Sequence, residues 1–180
     1  MGRIGLGDIV GTPQAKTANI QSMLEGISII MAHERGTAEM YRHCSADTLD
    51  TTLQRQWRTF GEKAQVHVQV TEGVIAALQG DAGYRSPAAL EVERCTQTML
   101  SLGIQGEQAD LLRLSNLVAL DQVSIGYWRG VESVASQTKD PSLTRILHEA
   151  AATVERDKHQ HLNWNNSMLH RYVTKVMTGH

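Results

Sequence analysis

Glu34, His67, Asp121 and His161 fall where four long helical stripes are otherwise apolar, one residue on each stripe. Two carboxylates and two imidazoles converging in one core are the donor types of a site for zinc, iron or manganese. Left without partners they would be costly, because an apolar interior disfavours each ion by roughly several kcal/mol. Three residues before the two histidines stand Ala64 and Lys158. In a helix those positions share the histidine's face. Ala64 brings no donor atom to that face, and Lys158 brings a positive charge.

The elements that position these residues are legible from apolar spacing. A first helix over about 18–45 carries Ile20, Met23, Leu24, Ile27, Ile30, Met31, Ala38 and Tyr41, with Glu34 on the same stripe. A second, over about 48–80, carries Leu53, Trp57, Phe60, Ala64, His67, Thr71, Val74 and Leu78, with Gly80, Asp81 and Gly83 as its stop. A connection over 81–106 contains a short helix opened by Ser86-Pro87, serine as cap and proline in the first turn. A third long helix over about 107–137 carries Leu111, Leu114, Val118, Asp121, Ile125, Trp128 and Val131. Asp140-Pro141 caps the fourth, which runs to about 176 through Leu147, Ala151, Val154, Lys158, His161, Asn165, Met168 and Tyr172. Two helices, a long crossover and two helices form an all-α, ferritin-like arrangement. Each half pairs one inward carboxylate with one inward histidine.

Residues 1–16, with four glycines and Pro13, read as a loosely held arm preceding a bundle over 17–177. At 180 residues the chain is about one domain, long enough to bury a core. A net charge of −2 without a basic run speaks against a nucleic-acid face. No apolar stretch reaches the ~18 residues of a membrane span. Cys44 and Cys95 are too few for a disulfide framework, so reduced thiols and a cytoplasmic setting are expected.

Four segments then carry a resemblance. They are Met31-Ala-His-Glu34-Arg-Gly-Thr-Ala-Glu-Met-Tyr41, Phe60-Gly-Glu-Lys-Ala-Gln-Val-His67, Ala77-Leu-Gln-Gly-Asp-Ala-Gly-Tyr-Arg-Ser-Pro87 and Val154-Glu-Arg-Asp-Lys-His-Gln-His161-Leu. In order and spacing, over roughly residues 24–172, the chain resembles the ferritin-like domain family related to rubrerythrin. The resemblance implies a di-iron ligand set: a carboxylate, Glu-x-x-His, a second carboxylate, and a second Glu-x-x-His. Glu34, His67, Asp121 and His161 match four of those six positions, and the two bridging glutamates correspond to Ala64 and Lys158.

That departure weighs against a normal di-iron centre, because two adjacent divalent cations need bridging negative charge. Two readings stay open. In the first, the site has become a metal-free polar core in which Lys158 replaces a cation and pairs with Glu34 or Asp121. In the second, a single iron, manganese or zinc ion is held by Glu34, His67, Asp121 and His161, with Asp157 as an auxiliary donor if the fourth helix is rotated or carries a π-bulge. Glu155 and His159 share a helical face and form a weaker candidate pair. Tyr41 and Tyr127 are expected to hydrogen-bond to the cluster. Apolar residues on flanking faces (Ile29, Ile30, Val66, Val68) point to a homodimer.

Overall fold

The computed structural model describes residues 19–101 and 106–179. Among them every regular element is a helix: α1 (Ile20–Asp47), α2 (Thr51–Ala77), α3 (Pro87–Leu100), α4 (Glu107–Ala135) and α5 (Pro141–Thr178). The arm expected over residues 1–16 lies outside the described residues. No described helix is long and apolar enough to cross a membrane.

Side-chain caps set four of the helix starts. The Asn19, Asp50, Ser86 and Asp140 side chains each accept a hydrogen bond from a backbone N–H in the first turn that follows. Those N–H groups have no partner within the helix, so a short oxygen-bearing side chain just before it is favourable by about 1 kcal/mol. Pro87 and Pro141 fit directly after their caps, where a missing N–H costs nothing.

The expected bounds move by a few residues. α1 reaches Asp47 rather than 45, α4 ends at Ala135 rather than 137, and α5 reaches Thr178 rather than 176. α2 stops at Ala77 rather than 80, because Gln79 turns left-handed (φ 57°) and the Gly80 N–H bonds back to the Ile75 carbonyl at 2.9 Å. Gly80 belongs there for a second reason: a Cβ would overlap the Leu24 side chain.

α1 pairs with α2 and α4 with α5 through the short links 48–50 and 136–140, so each pair runs antiparallel. The pairs meet through α1 on α4 and α2 on α5, while α3, in the connection between α2 and α4, packs on α1. A buried Ser28–Ser86 hydrogen bond (2.8 Å) fixes the start of α3, and Thr96 packs against Gly36 further along.

The apolar core is in two parts. One holds Ile27, Ile30 and Met31 of α1 with Val74, Trp128, Leu147 and Val154. The other holds Met40, Tyr41 and Cys44 with Trp57, Phe60, Leu114, Leu117 and Met168. Between them, on all four long helices, lies a layer of buried polar side chains. Val68 and Ile30, expected on a dimer face, are in the core; Val66 is exposed and Ile29 half-buried.

Candidate functional site

Each of the four helical stripes delivers its polar residue to this middle layer. Glu34, His67, Asp121, Lys158 and His161 are all wholly buried, and Ala64 lies beside them with 0% exposure. The Lys158 ammonium stands between the carboxylates, 2.9 Å from Glu34 Oε2 and 3.5 Å from Asp121 Oδ1. It therefore contacts both acids that the sequence offered as alternative partners.

Each carboxylate has one well-held oxygen and one exposed to the cation. Glu34 Oε1 accepts from the Ser124 hydroxyl and from the Trp128 indole N–H at 3.1 Å. Asp121 Oδ2 accepts from the Tyr41 hydroxyl at 2.6 Å and the Asn165 amide at 3.2 Å. Asn165 is itself fixed by Trp57, whose indole N–H donates to its Oδ1 at 3.1 Å, and it donates a second bond to Tyr41 at 2.7 Å. The facing atoms are different. Glu34 Oε2, Asp121 Oδ1, Lys158 Nζ, His67 Nδ1 and both ring nitrogens of His161 make no directed hydrogen bond, although all are buried. The short Lys158–Glu34 contact is thus one of charge with charge, its angle unsuited to a hydrogen bond.

The electrostatics follow from this crowding. Burial works to raise the Glu34 carboxyl, but the Lys158 ammonium, together with His67 and His33, outweighs it and holds Glu34 well below the ordinary carboxylate range. Burial prevails at Asp121, which is pushed up to about 6 against the pull of Lys158 and the Tyr41 hydrogen bond. His161 is driven down to about 2 by burial, then by the neighbouring Lys158 and His67 charges, so it is a neutral ring at physiological pH. It lies against Phe60 with ring centroids 4.0 Å apart. Burial and the adjacent Asp121 charge raise the Tyr41 hydroxyl well above its usual value.

One edge of the cluster reaches solvent. The His67 Nε2–H donates to Asp157 Oδ2 at 3.4 Å, and Lys63 meets the other Asp157 oxygen at 3.4 Å and Gln160 at 3.0 Å. Asp157 reaches inward from an uninterrupted α-helix, without a π-bulge, and its side chain is 15% exposed. His67 Nδ1 is 3.8 Å from Glu34 Oε2, and His161 Nδ1 is 3.9 Å from Asp121 Oδ1. Both distances are too long for hydrogen bonds.

No protein-family model matches the chain, and no curated protein or solved structure does either. The site must be read from its own atoms.

Two of the expected companions are elsewhere. Glu155 pairs with Arg129 at 3.6 Å while His159 is exposed, so the two do not form a ligand pair. Tyr127 packs edge-on against the His33 ring, 5.4 Å away, rather than joining the cluster. Three residues that sequence reasoning left out of the site belong to it. Asn165 and Ser124 lie four residues after His161 and three after Asp121, one turn along the same stripes, and that spacing is the signal that points to them. His33 is buried and donates from Nε2 to the Leu120 carbonyl at 2.9 Å. A histidine beside an inward glutamate carries no such signal, because its acceptor is a backbone atom of α4. Burial lowers its pKa.

The donor set does not fit two metals. Ala64 supplies no atom and Lys158 adds charge of the wrong sign at the centre. Among the described residues, no three His, Cys, Asp or Glu side chains are grouped so as to hold a metal ion.

Proposed function

We propose that the chain is a ferritin-like four-helix bundle whose di-metal site has become a salt-bridged core. In it the Lys158 ammonium takes the place of the cations, and the protein, its role undefined, works through its surface or as a homo-oligomer. The observation that carries this reading is the position of Lys158 Nζ, wholly buried and within 3.5 Å of both Glu34 and Asp121. A lysine there supplies the positive charge that two facing carboxylates require.

The surface supports an association role in kind. A groove of about 550 Å³ between α1 and α4 is lined by Met23, Ile29, Ile30, Tyr127, Val131 and Val134, among others. Val66 on α2 and Val123 on α4 are 48% and 45% exposed.

The experiment is restoration. Ala64→Glu and Lys158→Glu together replace the two missing bridging carboxylates. On this reading the double variant binds iron or manganese that the parent does not. A double variant that folds and binds no more metal than the parent contradicts the reading.

The alternative reading is a metal-binding oxidoreductase or iron-handling protein that uses Glu34, His67, Asp121 and His161, with Asp157 as an accessory. One observation favours it: the two His161 nitrogens and His67 Nδ1 are buried donors without partners. It requires Lys158 to leave the centre first, which would uncover both carboxylates.

A further inference from the structure

The atoms that make no hydrogen bond at the centre are also the atoms of a condensation. We propose that Lys158 and Asp121 join autocatalytically into a side-chain amide, a covalent cross-link between α5 and α4, with Glu34 as the proton acceptor. This rests on the metal-free reading of the site.

The arrangement supplies each requirement in turn. The nucleophile, Lys158 Nζ, is 3.5 Å from Asp121 Oδ1, an oxygen borne by the carbon that it attacks. The base, Glu34 Oε2, is 2.9 Å from the same nitrogen. Its other oxygen is held by Ser124 and Trp128, which leaves Oε2 as the oxygen next to the amine. The electrophile is polarised on one side only. Asp121 Oδ2 accepts from Tyr41 at 2.6 Å and Asn165 at 3.2 Å, two donors placed to stabilise negative charge as it develops there. Asp121 Oδ1 has no hydrogen-bond donor and is the oxygen free to leave.

The balance closes without a co-reactant. Lys158 passes one ammonium proton to Glu34, and the free amine attacks Cγ of Asp121, which reacts as the neutral acid. A C–N bond forms, and the tetrahedral oxyanion at Oδ2 is held by Tyr41 and Asn165. The Cγ–Oδ1 bond then breaks, the hydroxyl taking a second proton from nitrogen, and one water leaves. Glu34 keeps the first proton until it exchanges with solvent, for which His67 and Asp157 lead to the surface. No atom is oxidised or reduced.

The product suits the core better than the reactants do. A buried ammonium and a neutral buried acid become one neutral amide, which removes a desolvated charge from the centre. Of the six buried atoms lacking hydrogen bonds, Asp121 Oδ1 departs, and Lys158 Nζ becomes an N–H facing Glu34 Oε2, so three are accounted for in one step. Oδ2 keeps both of its donors as the amide carbonyl. The layer excludes water, since Lys158, Asp121 and Glu34 are each 0% exposed, which opposes hydrolysis of the new bond.

The test is the intact mass of the folded full chain under denaturing conditions, followed by a protease digest. The cross-linked chain is lighter than its sequence by one water, after allowance for the initiator methionine. Its digest contains a branched peptide joining the segment of Asp121 to that of Lys158. Lys158→Arg keeps the charge but not the nucleophile, and it restores the full mass, as does Lys158→Met. The full sequence mass in the folded parent overturns the proposal, and so does a water loss that persists in Lys158→Arg. Metal analysis of the same sample separates the two readings. Full mass without metal sinks the amide alone, whereas full mass with one metal per chain sinks the metal-free site as well.

Discussion

Lys158 Nζ and Glu34 Oε2 lie 2.9 Å apart with both side chains wholly buried, and neither atom makes a directed hydrogen bond. The pair is therefore held by charge in a place where charge is costly. It persists because Asp121 stands 3.5 Å away on the other side of the ammonium and because the outer oxygens of both acids are satisfied. Removing one member of such a set exposes what the others were compensating.

Lys158→Met should lower stability by about 3–5 kcal/mol, since it leaves two buried carboxylates without their cation. Adding Glu34→Gln to that variant removes one of the stranded charges and should recover part of the loss. Chemical denaturation of the single and double variants reads both effects. Equal stability of parent and Lys158→Met would show that the ammonium does not hold the core together.

Tyr41→Phe deletes a donor to Asp121 and an acceptor for Asn165 while keeping the ring that packs on Phe60. The expected cost is about 1–3 kcal/mol, the range for leaving a buried polar group unsatisfied. A melting curve that matches the parent's would indicate that a neighbour fills both roles.

Acid should weaken the fold. His161 is held neutral, its pKa about 2 in place of 6.5, so the unfolded chain gains a proton that the folded one refuses. Stability present above pH 6.5 is then lost as pH falls, and His33, also lowered, has the same sign. Asp121 acts oppositely: raised from 3.8 to about 6, it favours the fold below that window and less above it. His161 and Asp121 largely offset one another between roughly pH 5 and 6, and the lowered His33 leaves a net uptake of protons on unfolding, so stability falls with pH there. Urea midpoints across that range should fall with pH, and His161→Phe should flatten the slope. A slope unchanged in His161→Phe would place the proton uptake elsewhere.

Gly36 is where α3 closes onto α1. A Cβ there would lie 2.6 Å from Thr96 Oγ1 and 2.8 Å from its Cγ2, and Thr96 is buried. Gly36→Ala should cost about 1–3 kcal/mol through overpacking, despite alanine's better helix propensity. Adding Thr96→Ala should relieve it. If Gly36→Ala is instead stabilising, α3 yields more easily than its packing indicates.

Much of this was legible in the sequence because four long amphipathic helices repeat one period and a polar residue in an apolar stripe stands out. Glu34, His67, Asp121, Lys158 and His161 all declared themselves that way. What stayed hidden depends on neighbours across the core. Nothing in spacing tells that Trp128 would turn its N–H to Glu34, or that Asn165 would be locked by Trp57. His33 was invisible because a backbone carbonyl satisfies it. The end of α2 moved because a glutamine, not the glycine after it, took the left-handed turn. The family resemblance rests on the same stripe residues and adds nothing about those cross-core contacts.

The central claim is that Lys158, in place of a metal, occupies the centre of this core. Elemental analysis of the parent protein, produced with iron, manganese and zinc all supplied, tests it most directly. The account predicts well under one metal per chain, unchanged in His67→Ala and His161→Ala. One bound metal per chain, lost in either variant, would contradict it.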